Sequence, residues 1–293
     1  MTSDNQNSDD LNNKELEQFL SEMKGVKVPP SSRSKEDAWR LLMQSVVEEE
    51  SKVVSMSNSR VWYAIAASVV IFIVAGWSYA WFSTTEKYAP KGYVSDVVLP
   101  DGTQIKLNAD SKISYPKFFN LVGRKFTLEG EAFFRVMPGE KFTVSDSQYR
   151  TVEVLGTEFN VNTRGSIFKV ACYQGSVKVH TPETDNIQLT PGLKFESIDG
   201  VSAVNSFQSD SISSPSWING EFYFEGAKLS EVITELEIQF NVTIVVEGFN
   251  PEERIYSGFF RNNNLKNAIE LVTLPMGLNY EITPDSSKVI ISK

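Results

Sequence analysis

Cysteine and histidine are almost missing from these 293 residues, with one of each, Cys172 and His180. A lone cysteine forms no internal disulfide, so pairing reports no redox compartment. A lone histidine excludes a two-histidine metal site, and a Ser-His-Asp triad would rest on His180 alone. Cys172 lies in the apolar run FKVACYQ and is expected as a small core residue. His180 follows SVKV and is expected at a strand end. A basic surface is also lacking. The net charge is −9, with 8 basic and 11 acidic side chains in residues 1–60 and 20 and 26 in residues 83–293. That balance argues against direct nucleic-acid binding. No glycine-rich phosphate loop is present, and no catalytic constellation, cofactor site or metal site stands out.

Charge of either sign is absent from residues 61–82, VWYAIAASVVIFIVAGWSYAWF. At about 1.5 Å per residue such a helix spans roughly 33 Å, enough for a hydrocarbon core of about 30 Å. Trp62 and Tyr63 at one end, and Trp77, Tyr79, Trp81 and Phe82 at the other, sit where interfacial aromatic belts do. A soluble core helix would carry a polar face, and a cleavable signal peptide would not follow sixty polar residues. The expectation is one transmembrane helix. Arg40, Lys52 and Arg60 on one side against Lys87 and Lys91 on the other barely favour a cytoplasmic N-terminus, so charge leaves the topology open.

Residues 1–60 offer two short helices. Leu16, Phe19, Leu20 and Met23 fall on one helical face, with Asn12 or Asn13 as a starting cap and Gly25 at the end. Pro29 and Pro30 break the pattern. In SKEDAWRLLMQSVVEEE, Ser34 and Asp37 have capping-box spacing. Ala38, Leu41, Leu42 and Val46 make a stripe, broadened by Trp39, Met43 and Val47. These wide faces either shield one another in a hairpin or await a partner, with Trp39 as the expected anchor.

From about Tyr93 to Phe195 the chain reads as short strands between turns at Asp101-Gly102, Glu129-Gly130, Pro138-Gly139, Arg164-Gly165, Gln174-Gly175 and Pro191-Gly192. An all-β domain is expected. Residues 201–216, rich in serine, read as a linker. Then FYFEGAKLSEVITELEIQFNVTIVV reads strand, helix, strand, with Leu229, Val232, Ile233 and Leu236 on the helix face. IYSGFFRNNNLKNAIELVTLPMGLNYEIT repeats the order, with Leu265, Ile269 and Leu278 matching Leu229, Ile233 and Val242. KVIIS closes it. Two βαβ copies predict a small α+β domain with helices on one sheet face.

The order of parts, and the stretches LPDGTQIKLNADSKISYP, LEGEAFFRV, FTV, VEVLGTEFNV, GSVKV and LTPG, resemble the FecR family of anti-sigma regulators. The version resembled has a C-terminal domain similar to the short N-terminal domain of secretins and TonB-linked receptors. The resemblance implies a multi-domain membrane protein: a cytoplasmic helical anti-sigma segment at 1–60, a transmembrane helix at 61–82, an all-β periplasmic domain at 90–200, and a βαβ-repeat signalling domain at 217–293. It implies a single-pass inner-membrane protein with its N-terminus in the cytoplasm. Leu16, Phe19, Leu20, Trp39, Leu42 and Val46 would bind an extracytoplasmic-function sigma factor. The C-terminal domain would meet the signalling domain of a TonB-dependent outer-membrane transporter. Some members of that family cleave themselves at a Gly-Thr pair, here Gly156-Thr157. The alternative is that Gly156 serves a bulge or turn, with Thr157 packed beside it.

Two other classes compete. A membrane-anchored glycan or peptidoglycan binder would use aromatics such as Phe118, Phe119, Phe133 and Phe134, although these read as core. An anchored hydrolase would use Glu129 and Glu131, but the intervening Gly130 reads as a turn and the pair as surface. No enzymatic activity is expected.

Overall fold

The computed structural model describes residues 34–48, 59–119, 123–184, 186–198, 200–207 and 213–293, together with Ser21. The chain divides into two units, Met1–Ala66 and Ala67–Lys293. In the first, helix α1 (Lys35–Glu48) starts as the spacing predicts. The Asp37 amide donates to Ser34 Oγ at 3.2 Å, and Ser34 Oγ donates to Asp37 Oδ2 at 3.1 Å. This satisfies a backbone donor that the first turn leaves open. Helix α2 (Ser59–Phe82) is long and apolar enough to cross a membrane, at 24 residues and about 36 Å.

Beyond α2 the chain passes directly into strands. The β region begins at β1 (Thr84–Ala89), before the Tyr93 expected from the sequence. Among the described residues fourteen strands form two seven-stranded sheets, one ordered β1, β4 (Ser111–Pro116), β5 (Arg124–Glu129), β7 (Phe142–Ser145), β8 (Thr151–Val154), β11 (Val177–His180), β12 (Ile187–Leu189), the other β14 (Val201–Ser206), β13 (Leu193–Ile198), β10 (Phe168–Gln174), β9 (Glu158–Asn162), β6 (Glu131–Arg135), β3 (Gln104–Leu107), β2 (Ser95–Val98). Pairing is antiparallel except between β5 (Arg124–Glu129) and β7 (Phe142–Ser145). Inward residues of both sheets make one core containing Phe119, Phe126, Phe134, Phe142, Phe159, Phe168 and Phe195, with Cys172 fully buried among them. The alternation in β5 is complete, RKFTLE reading buried, exposed in strict turn.

Two turns show why glycine is needed. Gly130 has φ +100°, and a Cβ there would lie 2.4 Å from Ser111 Oγ. Gly175 has φ +86°, and its Cβ would lie 2.9 Å from both the Gly156 carbonyl oxygen and Thr157 Oγ1. One expectation is corrected at this end of the domain: residues 201–206 are not linker but the strand β14, paired along its length with β13 (Leu193–Ile198). Serine-rich composition reads as loop, yet all six β14 residues are exposed, so an edge strand there needs no apolar face.

The C-terminal domain follows the βαβ repeat: β15 (Glu221–Lys228), α3 (Leu229–Phe240) and β16 (Thr243–Glu247), then β17 (Ile255–Arg261), α4 (Leu265–Thr273) and β18 (Asn279–Ile282), with β19 (Lys288–Ser292) last. The expected single sheet is corrected to two. β15 pairs with β17, while β16 and β18 flank β19 in a three-stranded sheet. Equivalent strands of the two copies therefore group together, and the final strand completes the second group. Leu229, Val232, Ile233, Leu236, Ile269, Val242 and Leu278 are buried as the repeat predicts.

Candidate functional site

The large unit carries its most unusual chemistry where the β-sandwich meets the C-terminal domain. In β6 (Glu131–Arg135) four successive residues, Glu131, Ala132, Phe133 and Phe134, are buried. A strand that alternates faces can do this only if both faces are covered. Ala132 and Phe134 face the sandwich core. Phe133 belongs instead to a second core, with Trp217, Phe222, Leu229 and Phe260 and with Tyr173 packed against it. Phe133 and Tyr173 meet edge to face at 5.7 Å.

Around this apolar contact runs a buried polar chain. Glu131, 9% exposed, accepts from Asn108 Nδ2 and Asn160 Nδ2, each at 2.8 Å. Trp217 Nε1 donates to Asn160 Oδ1 at 3.1 Å. Gln239 Nε2 donates to Asn108 Oδ1 at 3.0 Å and to Glu235 Oε1 at 2.8 Å. Arg164 Nη1 donates to Glu235 Oε2 at 2.9 Å, and Arg164 Nη2 to the Ala109 carbonyl at 2.6 Å. The Arg164 and Glu235 side chains are only 13% and 14% exposed. Burial pushes the Glu235 carboxyl above the usual carboxylate range; Arg164 opposes that shift and Glu131 adds to it. Each buried polar group leans on the next, an arrangement costly to break at any one link. The two domains are thereby clasped by groups from β6, α3, the 108–109 and 163–167 turns, and the short 3₁₀ turn Ser216–Asn219.

Sequence reading missed this clasp, because its partners lie 57 to 131 residues apart for the Trp217–Asn160 and Gln239–Asn108 bonds. One signal was present: Glu235 and Gln239 stand at i, i+4 on α3, a spacing that places both on one helical face. The expectation that Glu129 and Glu131 are both surface residues is corrected for Glu131. Glu129 is exposed and lies 3.5 Å from Lys112 Nζ, whereas Glu131 is roofed by the C-terminal domain. They form no carboxylate pair for hydrolysis, since Glu131 is already bound to two amides. Phe119, Phe133 and Phe134 are core, and Phe118 is exposed beside Lys117. Cys172 is buried, its thiol pushed up to about 11 by desolvation. His180 ends β11 (Val177–His180), 3.9 Å from Glu153.

Gly156-Thr157 lies just before β9 (Glu158–Asn162). Thr157 is buried and its Oγ1 donates to the Ser176 carbonyl at 3.0 Å. A Cβ on Gly156 would come within 2.8 Å of Pro138 Cα, so close backbone packing by itself requires this glycine. Of the other singled-out residues, Leu16, Phe19 and Leu20 lie outside the described residues. Val46 falls in α1, its side chain outside the description. Trp39 and Leu42 lie on α1 and are 63% and 57% exposed, next to exposed Leu41 and Met43.

A two-sheet sandwich joined to a βαβ repeat follows, along the chain, a helix long and apolar enough to span a membrane. Residues 88–178 match the family model described as FecR protein, and residues 221–291 the one described as FecR, C-terminal. A crystal structure of a candidate anti-sigma factor from Parabacteroides distasonis ATCC 8503, at 2.50 Å resolution, is 30% identical. It covers 72% of this chain and 99% of its own, with a TM-score of 0.63. A second such structure, at 1.65 Å, is also 30% identical, covers 71% and 99%, and has a TM-score of 0.62. No curated protein matches. The chain belongs to the FecR family of anti-sigma regulators.

Proposed function

We propose that this regulator is a single-pass inner-membrane protein whose N-terminal segment, in the cytoplasm, holds an extracytoplasmic-function sigma factor. Its sandwich and C-terminal domain stand in the periplasm and receive the signalling domain of a TonB-dependent outer-membrane transporter. The observation that carries this reading is α1, which leaves Trp39, Leu41, Leu42 and Met43 exposed on fourteen residues of helix. An exposed apolar helix face is what a partner's groove takes. Trp39 and Leu42 anchor the contact, with Leu16, Phe19, Leu20 and Val46 extending it. The interdomain clasp supports the periplasmic half, because a domain locked to its neighbour passes on a displacement rather than absorbing it. A protein that acts on a sigma factor needs no basic surface, in keeping with the charge of −9.

The test is binding of the full chain, in lipid nanodiscs, to the sigma factor encoded beside its gene. Trp39→Ala is expected to weaken it at least about tenfold, or 1.4 kcal/mol. Unchanged affinity moves the anchor elsewhere on the helices, and no binding by the unaltered chain refutes the reading.

A further inference from the structure

Among the described residues the β15–β17 sheet has two strands, and the outer edge of β15 borders a groove. That groove, about 680 Å³, is lined by every residue of β15 and by none of β17. Its far wall is the outer surface of the sandwich, with Lys169, Lys194, Glu196 and Ile198. The ladder shows which backbone groups face it. Asn262 N donates to the Gly220 carbonyl at 3.0 Å, which makes that pair the bonded type. Antiparallel pairs alternate, so Phe222–Phe260 and Phe224–Gly258 are bonded. The N–H and C=O groups of Glu221 and Tyr223, in the pairs between, then point away from β17 into the groove. Beyond them the strand bulges between Phe224 and Ala227, with Gly226 at φ +61°. A row of outward backbone groups on an edge strand is a template for another strand.

We infer that this edge takes an extended, non-acidic segment of a partner protein as a third strand of the β15–β17 sheet. The inference rests on the reading above that the C-terminal domain receives a partner, and it names the surface and the chemistry. Charge selects the occupant. The groove lining carries seven glutamates against Arg164 and three lysines. Arg164 is engaged by Glu235, Lys169 and Lys194 by Glu196, and Lys228 by Glu252. No described cation pairs with Glu225 or Glu231. Glu221 is held by Arg261 at 2.8 Å, and a second copy of the chain would set β15 against β15, placing Glu225 among like charges, which disfavours pairing. A lysine or arginine strand meets Glu225 and Glu231 instead. It also meets the exposed Tyr223 ring, 60% accessible and stacked on Phe259 at 5.7 Å, a surface that favours cations. Phe222 and Phe224 pack toward the domain core, so the sheet is backed and holds its edge in place.

The experiment measures anisotropy of a fluorescein-labelled ten-residue peptide, alternating valine or threonine with lysine, against the full chain in nanodiscs. Two control peptides replace lysine by glutamate, or carry N-methyl groups on the alternate amides of one edge. Saturable binding is expected, weakened at least about tenfold in either control. Tyr223→Pro is expected to weaken it similarly. That substitution removes an outward N–H while leaving the β17 ladder intact, and Tyr223→Thr, which keeps the N–H, retains more of the binding. Absence of saturable binding, or equal binding by the methylated peptide, overturns the inference whatever the proline variant does. A dimer of the unaltered chain that Tyr223→Pro dissolves also overturns it, in favour of a second copy. The two readings separate cleanly. A transporter signalling domain that does not bind while the peptide does refutes the partner proposed above and keeps the edge. A signalling domain whose binding ignores Tyr223→Pro keeps that partner and removes the edge.

Discussion

When Arg164 is replaced by methionine, Glu235 stays where α3 holds it, 14% exposed, but loses the cation 2.9 Å away. Removing one member of a buried ion pair costs about 3–5 kcal/mol. The carboxylate has one escape, which is to take up a proton. At pH 7 that costs a carboxyl of reference value about 4.3 roughly 3.7 kcal/mol, and at pH 5 roughly 1 kcal/mol. Protonation therefore caps the electrostatic penalty, and the cap falls with pH. The sign agrees with the direction already seen in the intact protein. Glu235 is raised in the folded state by burial, so the stability it contributes is fully present below about pH 4.3 and is lost as pH rises through its folded value. The Ala109 carbonyl also loses its 2.6 Å donor, worth about 1 kcal/mol at any pH. Arg164→Met should thus lower the opening free energy of α3 by about 4 kcal/mol at pH 7 and about 2 kcal/mol at pH 5. Arg164→Met/Glu235→Leu should recover most of the neutral-pH loss, because no charge is then left buried alone. The assay is native-state hydrogen exchange of α3 and β15 in the full chain at both pH values, corrected for intrinsic exchange. An equal loss at pH 5 and pH 7, or a double variant that simply adds the two single losses, would refute the argument.

Gly130→Ala should destabilise the sandwich by more than about 1 kcal/mol, since it combines φ +100° with a 2.4 Å approach to Ser111 Oγ; urea unfolding reads this. Cys172, with its thiol raised to about 11, should resist iodoacetamide at pH 8 until the protein is unfolded. Its contribution to stability is complete below about pH 8.5 and lost as pH rises towards 11. If the chain cleaves itself between Gly156 and Thr157, Thr157→Ala will leave one full-length species on a gel where the unaltered chain gives two. Two fragments from the variant, or none from either chain, dismiss self-cleavage. Trp217→Phe should loosen the C-terminal domain by about 2–3 kcal/mol, because it strands the Asn160 Oδ1 acceptor in a buried site, again measured by hydrogen exchange.

What the sequence determined by itself was whatever rests on short-range pattern. The unbroken apolar run became α2, the Ser34–Asp37 spacing became a helix start, and the glycines at 102, 130, 165, 175 and 192 all took positive φ. The doubled βαβ order was legible for the same reason, since the burial of Leu229, Ile233 and Ile269 follows from helical period alone. β14 was misread because an edge strand with no face to bury leaves no alternation to detect. The splitting of the repeat into two sheets was likewise invisible, as strand pairing across copies is a choice among partners and leaves no local mark. Only the tertiary structure decided that Phe133 and Glu131 face a second domain rather than water, and that Arg164 and Glu235 meet across 71 residues of chain. A side chain's period tells which face it is on; what covers that face depends on segments far along the chain, and burial converts a surface carboxylate into a clasp.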